Sequence, residues 1–130
     1  MGRRGTRVWS PTLPQHEKAR ITAACERFIA DTLKPRFLPQ VSPTAFNDPV
    51  DILGRWHGHR YRFIQRYRSG FPDNAGEEFD APFTRPDWTA PDRFDVLLHR
   101  DTGQWWPMFS EMSLDECFAL ILATPPLQPV

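Results

Sequence analysis

Apolar residues recur at spacings of three and four near the start of the chain, which predicts an amphipathic helix. They are Ile21, Ala24, Cys25, Phe28, Ile29 and Leu33, and this spacing places them on one face of a helix. Thr12 and Gln15 form a capping-box pattern, so we expect the helix to begin there. Pro35 disfavours helical geometry in the residue before it, which predicts an end near Leu33.

A second helix is predicted close to the end of the chain. Ser113 and Glu116 form a capping-box pattern before a short, largely apolar stretch with helical spacing. Thr124, Pro125 and Pro126 should end this helix.

The apolar period changes to two between Val50 and Arg68, which predicts a β-hairpin. A two-residue turn at His57-Gly58 would pair Trp56 with His59, Gly54 with Tyr61, Ile52 with Phe63 and Val50 with Gln65. These residues then form an inner face. The opposite face would carry five arginines, with Leu53 and Ile64 between them: Arg55, Arg60, Arg62, Arg66 and Arg68.

The segment 69–92 is rich in proline, glycine and acidic residues, so we expect a long structured loop with at most a short edge strand near Phe83. A second hairpin follows, with a three-residue turn at Asp101, Thr102 and Gly103. Its inward residues would be Phe94, Val96, Leu98, Trp106 and Met108.

These elements together predict an α+β domain with a short antiparallel sheet of two hairpins, about four strands. The N-terminal and C-terminal helices would pack on one face of that sheet. We expect residues 1–11 to be a flexible basic lead, residues 12–124 a single domain and residues 125–130 a proline-rich tail.

Composition limits the class of protein. An aromatic content of 13% is too high for a disordered chain. No apolar run approaches the ~20 residues of a membrane span and no export signal is visible, so we expect a cytoplasmic protein without membrane association. In that compartment Cys25 and Cys117 would be buried thiols, although a disulfide between the two helices stays an alternative.

Charge is divided unevenly along the chain although the formal net charge is zero. Residues 1–70 contain 13 of the 16 Lys and Arg but only 5 of the 16 Asp and Glu, so the two halves carry +8 and −8. Such asymmetry either creates a basic surface for an anionic partner or lets one half neutralise the other.

The arginine-rich sheet face is the first candidate for function. Guanidinium groups suit phosphates and carboxylates, and the candidate ligand-binding residues are Arg60, Arg62, Arg66, Arg68 and Trp105. With His99, Trp105 could stack on exposed bases. The leading interpretation is a non-enzymatic binding module whose partner is an anionic ligand, a nucleic acid or an acidic protein. The alternative is a structural component of a complex, in which the acidic loop 69–92 neutralises the arginines.

A metal-dependent enzyme is the competing hypothesis. His57, His59 and His99 could come together in an antiparallel meander, and three imidazoles can bind zinc. No nucleophile motif, phosphate-binding loop or dinucleotide fingerprint occurs, so the sequence indicates no catalytic residues and no cofactor. Five tryptophans in a chain this short also favour an aromatic surface that could form a homodimer.

The second half of the chain resembles a family of small bacterial proteins, the domain of unknown function 3024. The resemblance spans roughly residues 20–122 and depends on Pro82, Arg85, Trp88, Leu97, Arg100-Asp101, Trp106 and Phe109, with the hairpin turn at Gly58 upstream. It departs from the family pattern at residues 95–99, where an aromatic-rich strand is expected, and at Pro86. The resemblance implies a helix, a hairpin, a strand pair and a last short helix, but no activity and no catalytic residue.

Overall fold

Five antiparallel strands form one sheet in the computed structural model, which describes residues 11–38, 44, 46–100 and 102–129. They are β1 (Asn47–His57), β2 (Arg60–Ser69), β3 (Glu78–Ala90), β4 (Arg93–His99) and β5 (Trp105–Met112), paired in chain order. Helix α1 (Gln15–Phe28), a π-helical turn (Ile29–Leu33) and helix α2 (Lys34–Phe37) precede the sheet, and helix α3 (Leu114–Ala123) follows it. The predicted α+β class is confirmed, but the sheet has five strands rather than about four. The predictions for residues 1–10 and for Asp101 lie outside the described residues.

The start of α1 differs from the prediction. The N-cap is Pro14 in an extended conformation, no side chain caps the helix, and the backbone of Lys18 donates to the carbonyl of Pro14. The predicted capping box of Thr12 and Gln15 is therefore wrong. Leu13 is buried in the core, and Pro14 favours extended geometry in the residue before it, so the chain cannot turn helical as early as predicted.

The helical segment also continues beyond the predicted end at Leu33. A π-helical turn follows α1 directly, and α2 contains Pro35 in its first turn. Proline lacks a backbone N–H and its ring crowds the preceding turn. A helix therefore tolerates proline best where its regular hydrogen-bond ladder is already interrupted. The chain passes through Pro35 in this way instead of stopping before it.

The first hairpin keeps the predicted division of side chains but not the predicted pairs. The turn is Gly58-His59, with Gly58 at φ +63°, and the pairs are Trp56 with Tyr61 and Gly54 with Phe63. The predicted register was wrong by two residues. Because side chains alternate with a period of two, an error of two leaves every residue on the same face.

Strand β3 replaces the predicted loop. Its 13 residues pair with β2 on one side and β4 on the other, so the acidic segment forms the middle of the sheet. One of the prolines that suggested a loop is accommodated at a bulge: Pro82 lies beside a register shift, where Phe83 is an extra residue on β3. Bulges are among the few sites where a strand accepts proline.

Strand β5 carries two register shifts that change which residues face the core. Val96 is paired with Phe109, so Met108 is an extra residue in the strand. Phe109 and Met112 pack against the core, whereas Trp106 and Met108 are 47% and 40% exposed. The predicted side of Trp106 is confirmed by its pairing with the core residue Leu98, but neither Trp106 nor Met108 belongs to the set of residues packed in or against the core.

One core lies between the helices and the sheet. The rings of Phe28 and Phe118, from α1 and α3, stack 4.2 Å apart, and Phe28 also contacts Phe63 of β2 edge to face. Both helices therefore cover the same side of the sheet. The capping box of Ser113 and Glu116 at the start of α3 is confirmed. No helix in the described ranges is long and apolar enough to span a membrane.

Candidate functional site

The outer face is the side of the sheet opposite the helices, and most of its arginines are paired. Three of them contact acids of β3: Arg66 with Asp80 at 2.8 Å, Arg68 with Glu78 at 3.0 Å and Arg60 with Asp87 at 3.8 Å. The hydrogen bond from Arg66 lowers the pKa of Asp80. The acidic segment thus neutralises part of this face, although it does so as a neighbouring strand and not as a loop.

Arg85 and Asp87 form a buried ion pair at the centre of this face. The guanidinium of Arg85 donates two hydrogen bonds to Asp87, from Nε at 2.7 Å and from a terminal nitrogen at 3.0 Å. Arg85 is only 5% exposed. Burial raises the pKa of Asp87 and the hydrogen bond from Arg85 opposes that shift. A bidentate partner is what makes a carboxylate tolerable at such depth.

The ring of Trp105 explains why Arg85 is buried on an otherwise open face. The guanidinium carbon of Arg85 lies 4.6 Å from the centre of that ring, and the guanidinium carbon of Arg62 lies 5.8 Å from it. Trp105 is on β5 and Arg62 on β2, so their backbones are about 14 Å apart at the usual strand spacing. Both side chains must therefore lie along the sheet and meet above Arg85.

The cationic row consists of Arg55, Arg62 and Arg85, which lie side by side on β1, β2 and β3. Arg55 is directly opposite Arg62. The flanking pairs, Arg60 with Asp87 and Phe63 with Thr84, place Arg62 opposite Arg85. Like charges in directly opposed positions destabilise a sheet.

Arg62 has an unsatisfied donor within this row. Its Nε is buried and has no hydrogen-bond acceptor among the residues that the structure describes. Over those same residues, no acid lies within ion-pair distance of Arg62 or Arg55. A buried donor without an acceptor costs about 1–3 kcal/mol, so this position favours an oxygen acceptor from outside the described residues.

The structure brings together only part of the predicted set. Arg62 and Trp105 meet, and His99 contacts Trp105 with ring centres 4.9 Å apart. Arg60, Arg66 and Arg68 are on the same strand as Arg62, but each is engaged by an acid.

Two of the three histidines proposed for a metal contact tryptophan rings on opposite sides of the sheet. His59 contacts Trp88, whose ring is buried in the core, whereas His99 contacts Trp105 on the outer face. His57 is at the end of β1. Within the described part of the chain, no group of three or more His, Cys, Asp or Glu residues could hold a metal ion.

Cys25 and Cys117 are free, buried thiols, as the sequence predicted. Burial is the largest cause of their raised pKa values, and it raises the pKa of Cys117 to about 12. A thiol with such a pKa stays protonated at neutral pH, and the protonated form is a poor nucleophile.

Two grooves lie away from the outer-face arginines. One, of about 280 Å³, is lined by residues of α1, α3 and the π-helical turn, among them Arg27, Phe28 and Asp115. The other, of about 320 Å³, runs between the helical segment and the edge strand β1 beside Lys34 and Asp51, which form an ion pair at 3.0 Å.

Sequence reasoning missed Arg85 and Asp87 as parts of the site. The signal was their spacing of two, which places both side chains on one face of a strand. Pro82 and Pro86 concealed it, because they made the segment resemble a loop. Arg55 was placed on the correct face but was not among the predicted binding residues.

The family model of the domain of unknown function DUF3024 matches residues 13–126. The chain belongs to this family, as the resemblance of its second half suggested. The match includes every strand and α3, so the cationic row lies within the family domain. No curated protein and no solved structure matches the chain.

Proposed function

We propose that this DUF3024 protein is a non-enzymatic binding module that holds an anionic ligand on the outer face of its sheet, between Arg55 and Arg62. The ligand would accept hydrogen bonds from both guanidinium groups and lie beside the ring of Trp105. Guanidinium groups stay charged at every relevant pH, so they bind and orient anions and do not transfer protons.

The observation that carries this proposal is the buried Nε of Arg62, which lacks an acceptor among the described residues although it is opposite a second arginine. A bound anion would supply that acceptor and would also reduce the repulsion between the two cations. Binding would thus remove two unfavourable features of the free protein at once.

The other predicted arginines have a lesser role in this proposal. Arg66 and Arg68 would have to give up Asp80 and Glu78 before they could bind a ligand, and that exchange gains little. They serve as controls, because they share the strand, the face and the charge of Arg62 but not its missing acceptor.

Titration with inorganic phosphate, followed by proton–nitrogen NMR of the arginine Nε–H groups, tests the proposal. Chloride at matched ionic strength removes general salt effects. We expect the Nε–H of Arg62 and the indole N–H of Trp105 to shift with one saturating curve, whereas the Nε–H of Arg66 stays in place. A hydrogen bond to an anion is what moves an Nε–H resonance in this way.

Two variants with the same change in charge distinguish binding at a specific site from general electrostatic attraction to the outer face. R62Q should weaken phosphate binding at least tenfold, as read from the indole N–H of Trp105, whereas R66Q should leave it within about twofold, since only the first removes the free donor. Equal losses in both variants, or no movement of the Arg62 signal with phosphate, would show that the outer face holds no anion site.

A further inference from the structure

We propose that the ligand of this site is a compact phosphate monoester with an aromatic or apolar body, and not a polynucleotide. This inference rests on the proposed function and specifies its ligand class. Three features of the outer face lead to it: the excess of positive charge, the positions of the acids around the cationic row, and the apolar side chains beside it.

The excess of positive charge on this face is limited to the cationic row. Outside that row, Arg60, Arg66 and Arg68 are accompanied by carboxylates of the neighbouring strands, among them Asp48, Asp51, Glu78 and Asp80. Within the row, Arg85 is paired with Asp87, so the two positive charges that have no acid among the described residues are those of Arg55 and Arg62. A phosphate monoester carries about −1.5 to −2 at neutral pH, so one such group balances these two charges. A polynucleotide would bring many more negative charges than the face can neutralise.

Acids also limit how far a ligand can extend. Asp87 and Asp95 are directly opposite each other in the next row of residues on this face. Neighbouring rows on one face of a sheet are about 7 Å apart, so these two acids are about that far from the cationic row. On the other side of the cationic row, beyond a row of apolar residues, Asp80 follows on β3. An oxyanion fits between Arg55 and Arg62, but further phosphates of a longer chain would approach these carboxylates.

Apolar side chains form the row between the cationic row and Asp80. Leu53 is paired with Ile64, and Ile64 is paired with Pro82. The ring of Trp105 reaches the guanidinium of Arg62 from the opposite side. A ligand with its phosphate at Arg62 would therefore place its body on apolar and aromatic surface, where a ring can stack.

The test compares three probes: inorganic phosphate, phenyl phosphate and an oligothymidylate long enough to cross the sheet. We expect phenyl phosphate to bind roughly tenfold more tightly than phosphate, which corresponds to about 1.4 kcal/mol and is typical of one stacked ring. W105L should abolish this preference, so that the variant binds phenyl phosphate no more tightly than it binds phosphate. W106L is the matched control and should leave the preference unchanged. Trp106 is the next residue of the same strand and is 47% exposed, but it is paired with Leu98 on the other side of the sheet, and its ring contacts Arg100.

The salt dependence of the oligothymidylate separates failure of this inference from failure of the proposed function. Each neutralised phosphate of a single strand contributes about −0.7 to the slope of log affinity against log salt, so we expect a slope no steeper than about −1.4. A steeper slope, with tighter binding than phenyl phosphate, would overturn the compact-ligand inference while the anion site stood. If no probe moved the Arg62 Nε–H signal, the proposed function itself would fall.

Discussion

Removing Arg85 should destabilise the protein more than removing any exposed arginine of the outer face. R85M keeps an unbranched stem under the ring of Trp105 but leaves Asp87 without its bidentate partner. Breaking a fully buried ion pair costs about 3–5 kcal/mol. The side chain of Asp87 is 18% exposed, so water can partly replace the lost donor. We therefore expect a loss of about 2 kcal/mol in the free energy of unfolding at neutral pH, below the range for a fully buried pair.

This loss should depend on pH in a defined direction. Burial already raises the pKa of Asp87 in the folded protein, and Arg85 holds that rise back, so the pKa should rise further in the variant. A carboxyl whose folded pKa exceeds its unfolded value makes the protein less stable as pH increases through that interval. The deficit of R85M should therefore be largest at neutral pH and shrink as pH falls towards about 4, where Asp87 becomes protonated and needs no cation.

Urea denaturation of the wild type and R85M at several pH values measures this deficit. R68M is the matched control, because Arg68 is paired with Glu78 but both side chains are about half exposed, at 53% and 42%. Its cost should stay below about 1 kcal/mol. The reasoning is refuted if R85M costs no more than R68M, or if its deficit is the same at pH 4 and at neutral pH.

Three further predictions concern the scaffold that holds the site, and urea or thermal unfolding tests each. G54A should cost about 1–3 kcal/mol because the added methyl would overlap the buried ring of Tyr61, and the cost should disappear in a Tyr61→Leu background. W88F should cost about 1.5–3 kcal/mol, since the indole N–H donates at 2.7 Å to the buried carboxylate of Glu17; a neutral result would mean that water replaces this bond. S113A should cost about 1 kcal/mol by removing the cap of α3, and no change would mean that tertiary packing alone holds that terminus.

Elements with a strong local pattern were predicted well. The apolar spacing of α1, the capping box of α3 and the alternation along β1 and β2 all appear in the structure. The alternation was robust because an error of two in register does not exchange the faces of a strand. Pattern alone failed at β3 and β5, where bulges break the period of two.

Only part of the site was predicted, because the sequence pattern was clear in β2 and obscured in β3. Arg62 was found because β2 alternates clearly, and Trp105 because the alternation of the second hairpin leaves it on the side opposite the apolar residues. Arg85 and Asp87 were missed because two prolines made a central strand resemble a loop. Pairing partners on both sides supply hydrogen bonds that no local preference of β3 could predict.

The sequence by itself determined which side chains of the first hairpin face the core and which face outward, because that division follows from the two-residue period of a strand. Only the tertiary structure decided which of the outward arginines keep a free donor. Pairing between strands separated along the chain placed acids beside Arg60, Arg66 and Arg68, and placed arginines on both sides of Arg62. Such neighbours depend on register and bulges, which are set by the packing of the whole sheet and not by any single strand.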